Sequence, residues 1–261
     1  YPSRLMYWDF NGNWVKETKV PFGGEDMALL DDDKAAIFVD NERTTRERRM
    51  PQLEILDLSD GTSEGYFPGY PFYAGGNVTV FQQRRFFTRT PSGECLFVHP
   101  LSNDILSVSG SGVKVKYRLD FGEQTPHPEL KEGFVEPGAL FSYIGKEFPV
   151  YGFNSYWEND RWFSLNMYIN KRMTDLLYDK YNGVLYNCGI MNDDLTDTMV
   201  CPVKAENDYL VCYLNAGNII MQEDYLQSKG KSKKDNPVYA DLLDAARKYE
   251  NPIICLLYFK K

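Results

Sequence analysis

The chain has 261 residues, of which 43% are hydrophobic, 25% charged and 15% aromatic, a composition typical of folded globular proteins. Its formal net charge of -8 argues against a nucleic-acid partner, which would need a basic surface. No apolar run approaches the roughly 18 residues that a membrane-spanning helix requires. The aromatic excess favours β-sheet, because aromatic side chains fit half-buried pleated surfaces.

Short strand candidates separated by turn sequences begin at the N-terminus. Residues 4–10 and 14–20 flank Asn11-Gly12-Asn13, and the Asn-Gly pair is typical of tight hairpin turns. The next four candidates predict one four-stranded sheet, because the turn-forming residues 31–34 separate the first two and Asp60-Gly61 lies between the last two. They are residues 27–30, 35–39, 53–58 and 63–67.

The same arrangement is predicted twice more along the chain. One unit comprises residues 78–81, 85–89, 95–99 and 104–108. Residues 114–121 either extend that unit or lead towards the next. A Pro-, Gly- and Glu-rich loop at 122–147 precedes the other unit, which comprises residues 150–156, 162–169, 174–179 and 184–188. Residues 200–205 and 209–214 open a last unit.

The pattern changes near the C-terminus. Residues 218–227 look helical, and Asn236-Pro237 is a typical cap and first position for a second helix. The second helix carries an apolar stripe with the 3.6-residue period: Val238, Leu242, Ala245, Ala246 and Tyr249. Asn251-Pro252 ends it, and the apolar residues 253–259 predict a buried closing strand. Residues 218–249 are therefore interpreted as a helical insertion.

Sheet units that repeat about every 40–50 residues are typical of a β-propeller. A stacked β-sandwich is the alternative, but it would need fewer, longer connections and no such period. We predict an all-β propeller of four-stranded antiparallel blades, forming one domain over residues 1–261. The strand candidates supply about four and a half blades at this period, with two helices near the C-terminus.

Three segments carry a family resemblance: Phe-Asn-Gly-Asn-Trp at 10–14, Tyr-Arg-Leu-Asp-Phe-Gly at 117–122, and the ending at 251–260. Together they resemble the six-bladed β-propeller proteins, often predicted lipoproteins, of Bacteroides-type bacteria. The resemblance covers nearly the whole chain and implies six blades, so we expect further blades before Tyr1. It also implies export to the periplasm or outer membrane, with membrane attachment through an N-terminal lipid whose cysteine and leader this sequence lacks.

No metal, cofactor or disulfide framework is predicted. The five cysteines are odd in number and none has CxxC spacing. Cys212 and Cys255 lie in apolar runs and are interpreted as inert core thiols. Two acidic groups, Asp31-Asp32-Asp33 and Asp193-Asp194 with Asp197, do not match a calcium-binding loop and are interpreted as turn formers.

One ligand-binding surface is predicted from two kinds of connection that emerge on the same face of a propeller. An arginine-rich segment lies between the second and third strands of a blade, and an aromatic segment joins two blades. Guanidinium groups beside aromatic rings suit anionic or sugar-like ligands and protein partners. The residues are Arg43, Arg46, Arg48, Arg49, Tyr70, Phe72 and Tyr73.

The sequence favours a non-enzymatic binding or scaffold propeller of an exported protein, with a small molecule, a glycan or a protein as its partner. The alternative is a carbohydrate-active enzyme that uses loop carboxylates at the channel mouth. Such an enzyme needs two carboxylates about 5–9.5 Å apart, which sequence alone does not place. The available loop acids are Glu123, Glu129, Glu132, Glu136 and Asp160.

Overall fold

The computed structural model describes residues 3–20, 23–24, 26–39, 52–66, 85–99, 102–122, 146, 150–189, 194–198, 201–249 and 251–258. Within these ranges the protein is a series of antiparallel sheets followed by two helices near the C-terminus. None of the helices in these ranges is long and apolar enough to cross a membrane.

The sheets follow one another in chain order. A hairpin consists of β1 (Ser3–Trp8) and β2 (Trp14–Val20). The first four-stranded sheet consists of β3 (Asp26–Leu29), β4 (Lys34–Phe38), β5 (Leu53–Asp57) and β6 (Ser63–Tyr66). The second consists of β7 (Phe87–Arg89), β8 (Cys95–Val98), β9 (Asp104–Ser109) and β10 (Gly112–Arg118).

The third four-stranded sheet consists of β11 (Val150–Glu158), β12 (Trp162–Ile169), β13 (Arg172–Asp179) and β14 (Val184–Gly189). The last sheet has three described strands, β15 (Cys201–Ala205), β16 (Tyr209–Leu214) and β17 (Ile253–Tyr258). Between β16 and β17 the chain forms α1 (Ala216–Ser228) and α2 (Pro237–Tyr249).

These sheets confirm the predicted fold class, an all-β propeller of four-stranded antiparallel blades with two C-terminal helices. In the second sheet the structure decides between the two alternatives that the sequence left open for residues 114–121. Ser109 pairs with Gly112 across a two-residue turn, which makes β10 the fourth strand of that sheet. A two-residue turn can connect only antiparallel strands. The predicted strand at 78–81 lies outside the described residues.

The chain divides into two compact units, whose bounds are Tyr1–Thr88, Ser92–Tyr156 and Asn166–Arg172 for the first, and Arg89–Pro91, Trp157–Leu165 and Met173–Lys261 for the second. In the first unit, one core cluster joins the sheets β3–β6 and β7–β10 through aromatic rings. Phe38 stacks on Phe86 with ring centroids 3.8 Å apart, and Phe87 lies 5.2 Å from Phe97. Phe38, Phe87 and Phe97 lie on β4, β7 and β8, and Phe86 directly precedes β7.

In the second unit, the sheet β15–β17 packs on one side against Trp157 and on its end against the helices. Helix α1 begins two residues earlier than predicted, because the Asn215 side chain caps it by accepting a hydrogen bond from the Gly217 N–H at 2.8 Å. Helix α2 begins at Pro237 as predicted, after the cap Asn236.

The closing strand β17 pairs with β16 along its full length, which confirms its predicted place in a sheet. The expectation that its residues are largely buried is wrong for one face. Residues alternate between half-buried and exposed positions, and Ile254 is 76% exposed and Leu256 48% exposed. A strand covered on one side buries only every second residue, whatever the hydrophobicity of the others.

Candidate ligand-binding surface

The seven residues predicted to bind a ligand all lie outside the described residues: Arg43, Arg46, Arg48, Arg49, Tyr70, Phe72 and Tyr73. The same holds for the predicted acids Glu123, Glu129, Glu132 and Glu136. Asp160 is described, and it is an exposed residue of the β11–β12 turn. Its backbone N–H donates a hydrogen bond to the Asn207 side chain at 3.2 Å, as expected of a turn residue.

The described residues contain another surface of arginine and aromatic side chains, at one end of the sheet β11–β14. The β11–β12 and β13–β14 turns meet there, because every second turn of an antiparallel sheet with strands in chain order lies at the same end. The Lys180 N–H donates to the Arg161 carbonyl at 2.8 Å and joins the two turns. A third turn is attached through Asn159, whose Nδ2 donates to the Glu206 carbonyl at 3.1 Å.

The Asp179 carboxylate lies at the centre of these turns and is almost fully buried. Its Oδ2 accepts hydrogen bonds from Arg161 Nη2 at 2.8 Å and from Asn182 Nδ2 at 2.8 Å. Its Oδ1 accepts from the Tyr181 N–H at 3.0 Å. The Arg161 guanidinium outweighs the opposing effect of burial and holds the pKa of Asp179 well below its usual range. The carboxylate is therefore ionised and fully engaged, so it is not a candidate for acid–base chemistry.

A second ion pair supports the turns from the side of β11. The Lys180 ammonium donates to the Glu158 carboxylate at 3.1 Å and also to the Asn159 carbonyl. The Glu158 side chain is only 6% exposed. Burial of paired charges fixes geometry, because either charge left alone would be costly to keep out of water.

Aromatic rings surround the Arg161 guanidinium, whose carbon lies 4.6 Å from the Trp162 ring centroid and 6.0 Å from that of Tyr181. Trp162 in turn contacts Tyr186, with centroids 6.3 Å apart. Tyr181 is 72% exposed, and Tyr186 is 46% exposed. We name Arg161, Trp162, Tyr181 and Tyr186 the Arg161 surface.

The Arg161 side chain is 40% exposed. Asp179 uses the Nε and Nη2 side of the guanidinium, at 3.2 and 2.8 Å, which leaves the Nη1 side without a hydrogen bond in the described part of the chain. The rings offer flat apolar area at low entropic cost. Since the arginine charge is already compensated by Asp179, the arrangement suits an uncharged polar ligand better than a strongly anionic one.

Sequence reasoning missed this surface, although it predicted the four strands that its turns connect. Asn182-Gly183 indicates a tight turn, and Gly183 adopts the left-handed φ of 66° that such a turn requires. The pairing of Arg161 with Asp179 joins two separate hairpins. The strand order does predict this pair. An acid that ends the third strand of a blade and an arginine that precedes its second strand lie at the same end of the sheet.

The acidic groups that were predicted as turn formers behave as such where they are described. Asp31 accepts a hydrogen bond from the Asp33 N–H at 3.0 Å, and Asp197 adopts a left-handed φ of 56°. Asp197 also forms an ion pair with Lys233 at 2.8 Å. Asp193 lies outside the described residues. Among the described residues, no group of three or more potential ligand side chains could hold a metal ion.

Comparison with known proteins places the chain in a family. Residues 1–258 match DUF4934, a domain of unknown function. The chain belongs to the DUF4934 family. No protein of curated function matches this DUF4934 chain.

The fold has a solved counterpart in a Bacteroides fragilis protein whose name marks it as expected to be exported. The two structures align with a TM-score of 0.63 at 13% sequence identity, over 99% of this DUF4934 chain and 72% of the other chain. This likeness confirms the expected resemblance to propeller proteins of Bacteroides-type bacteria at the level of fold. The tricorn protease aligns over 76% of this chain and 16% of its own at 13% identity, with a TM-score of 0.36, which is too low to indicate a shared fold.

Proposed function

We propose that this protein is a non-enzymatic binding propeller of an exported bacterial protein, and that the Arg161 surface contacts a glycan. The observation that carries the proposal is the stack of Arg161 on Trp162 beside the exposed ring of Tyr181, at 4.6 and 6.0 Å. Aromatic rings bind the apolar faces of sugar rings, and guanidinium N–H groups donate to hydroxyl oxygens.

The charge balance of the surface favours a neutral glycan over an anionic one. Asp179 compensates Arg161, and Glu158 compensates Lys180, so the turns present hydrogen-bond donors without a net positive field. The chain as a whole carries a formal charge of -8, which repels polyanions at long range. Recognition by a rigid surface also needs little reorganisation, because the buried ion pairs already fix Arg161 and its neighbours.

The test is calorimetric titration of the purified protein with cello- and xylo-oligosaccharides, with oligogalacturonides as the charged comparison. We expect binding of a neutral oligosaccharide, and we expect Tyr181→Ala to weaken it about fivefold to tenfold through loss of one stacking ring. Tyr225→Ala is the matched control, since Tyr225 is also an exposed tyrosine, 57% accessible, on helix α1.

Three outcomes contradict the proposal. Absence of binding across the panel removes the glycan as ligand. Equal effects of Tyr181→Ala and Tyr225→Ala remove the Arg161 surface as its site. Release of shorter sugars during the titration would instead support the alternative of a carbohydrate-active enzyme.

We also propose that the arginine-rich and aromatic segments contribute to ligand binding, because guanidinium groups beside aromatic rings suit anionic or sugar-like ligands. The variant in which Arg43, Arg46, Arg48 and Arg49 are all replaced by Ser tests this. We expect weaker binding at an unchanged melting temperature, because exposed charges change stability by about 0.5 kcal/mol or less. Unchanged affinity for every panel ligand would remove these residues from the site.

Export is the third part of the proposal. It is supported by the fold shared with a Bacteroides fragilis protein named for expected export. A location in the periplasm or at the outer membrane, with attachment only through an N-terminal lipid, follows from the family resemblance. Fractionation of cells that express the natural gene product tests it, and recovery in the cytosolic fraction would contradict it.

A further inference from the structure

Two cysteines of the last sheet occupy directly opposed positions. In the antiparallel pair β16–β17, the register partner of Cys212 is Cys255. Both belong to the apolar cluster that Trp157 and Leu257 complete, so their side chains lie on the same face of the sheet. Cys212 is fully buried and Cys255 is half-buried. No disulfide joins the described cysteines in the structure.

The register places these residues within reach of a disulfide. Directly opposed residues of antiparallel strands have Cα atoms about 4.5 or 5.5 Å apart, depending on the hydrogen-bonding of the pair. Both values fall within the roughly 4.4–6.8 Å that disulfides span. Their Cβ atoms must approach by up to about 1 Å from the usual cross-strand separation.

The position of β17 makes that approach easy. Within the described residues β17 pairs with β16 alone, so among them it is the edge strand of its sheet. An edge strand can shift towards its neighbour without displacing a second ladder of hydrogen bonds. The two other described cysteines with placed side chains are Cys95 in β8 and Cys188 in β14, and neither belongs to this strand pair.

We propose that Cys212 and Cys255 are a disulfide-forming pair that covalently closes the last sheet. One thiolate attacks an incoming disulfide and releases one thiol from it. The second thiolate then attacks the resulting mixed disulfide and releases the other. In total the two cysteines lose two protons and two electrons, and the incoming disulfide, glutathione disulfide in the test below, is reduced to two thiols.

The bond would tie the closing strand to the sheet at its centre. It would enclose both helices in one loop, since α1 and α2 lie between the two cysteines in sequence. That crosslink would restrict the unfolded chain and hold an edge strand whose outer face is exposed. The oxidising compartment in which the bond would form in the cell rests on the proposed export.

The first test uses the unaltered chain and needs no variant. The reduced, unfolded protein is refolded with reduced and oxidised glutathione, remaining thiols are alkylated, and the protein is digested and mapped by mass spectrometry. We expect a peptide pair that links Cys212 to Cys255, with a mass lower by two hydrogen atoms, at near-complete yield. Alkylation of both cysteines, or a link from either one to another cysteine, would overturn the proposal.

The second test measures what the bond does. We expect the oxidised chain to melt about 5–15 °C above the reduced chain. This difference should vanish in Cys212→Ala and in Cys255→Ala, whereas Cys188→Ala, which removes an exposed cysteine of β14, should retain it. A difference that persists in Cys255→Ala would contradict the assignment. Both tests detect the disulfide without any glycan. Absence of the disulfide would therefore leave the glycan proposal standing, and absence of glycan binding would leave the disulfide proposal standing.

Discussion

The core shared by the sheets β3–β6 and β7–β10 is made of aromatic and aliphatic side chains, whereas the second unit buries carboxylates beside its apolar clusters. Phe38, Phe86 and Phe97 form the first core. In the second unit, Asp179 and Glu223 are both less than 2% exposed. Phe38 and Phe97 of the first core lie on the strands β4 and β8. Asp179 ends β13 and Glu223 lies on α1, and each of these carboxylates accepts several hydrogen bonds.

Two arginine–aspartate ion pairs consist of the same chemical groups but differ in how deeply the acid is buried. In the sheet β7–β10, Arg118 donates two hydrogen bonds to Asp104, at 2.8 and 3.0 Å, and the Asp104 side chain is 22% exposed. In the third sheet Arg161 pairs with Asp179, whose side chain is 1% exposed. Asp104 is thus partly accessible to water in the folded protein, whereas Asp179 is almost entirely enclosed. We therefore expect the burial of the acid to decide how much each pair contributes to the free energy of unfolding.

The largest effect is expected for Phe97→Ala, which removes a ring with 0% exposure from the aromatic core. Loss of the buried ring and the cavity left behind should lower the free energy of unfolding by about 3–5 kcal/mol. Phe10→Ala is the matched control, because Phe10 is fully exposed at the tip of the β1–β2 hairpin. Urea unfolding of both variants measures the difference, and similar losses would show that the first unit does not depend on its rings.

A smaller effect is expected for Glu223→Gln in the polar region. The Glu223 carboxylate accepts hydrogen bonds from Ser232 and Gln227 at 2.8 Å and from the Tyr239 hydroxyl at 3.1 Å. An amide cannot accept from all these donors, so the free energy of unfolding should fall by about 1–3 kcal/mol. Glu17→Gln, at the partly exposed pair with Arg4, is the control and should change it little.

Acid titration sharpens this prediction. Burial raises the pKa of Glu223, but the bonds from Ser232, Gln227 and Tyr239 outweigh it and the net pKa is lowered. A carboxyl with a lowered pKa in the folded state stabilises the fold above its unfolded pKa, about 4.3, and this contribution is lost as the pH falls through the folded pKa. Stability should therefore decline below about pH 4 in the wild type and decline less steeply in Glu223→Gln. Equal slopes would contradict the role of the charge.

The sequence predicted those elements whose signals are local. The sheet at residues 27–67 was defined by its turns, and helix α2 by Asn236-Pro237 and its apolar stripe. What it did not predict depends on contacts distant in sequence. The exposure of Ile254 depends on what covers the sheet, and the pairing of Arg161 with Asp179 depends on two hairpins meeting at one end. Periodicity says which residues share a face, but not whether that face is covered.

The smallest effect is expected for Arg118→Ala, and its contrast with Arg161→Ala tests the comparison of the two pairs directly. Without Arg118, Asp104 remains hydrated, so we expect no resolvable change in melting temperature at physiological salt. Without Arg161, a buried carboxylate keeps its charge but loses its cation, so the melting temperature should fall clearly. Thermal unfolding of both variants under one buffer condition gives the answer. If both variants lose the same stability, the burial of the acid is not what sets the strength of the pair. If Arg161→Ala is the milder change, the remaining donors Asn182 and Tyr181 suffice to hold the Asp179 charge.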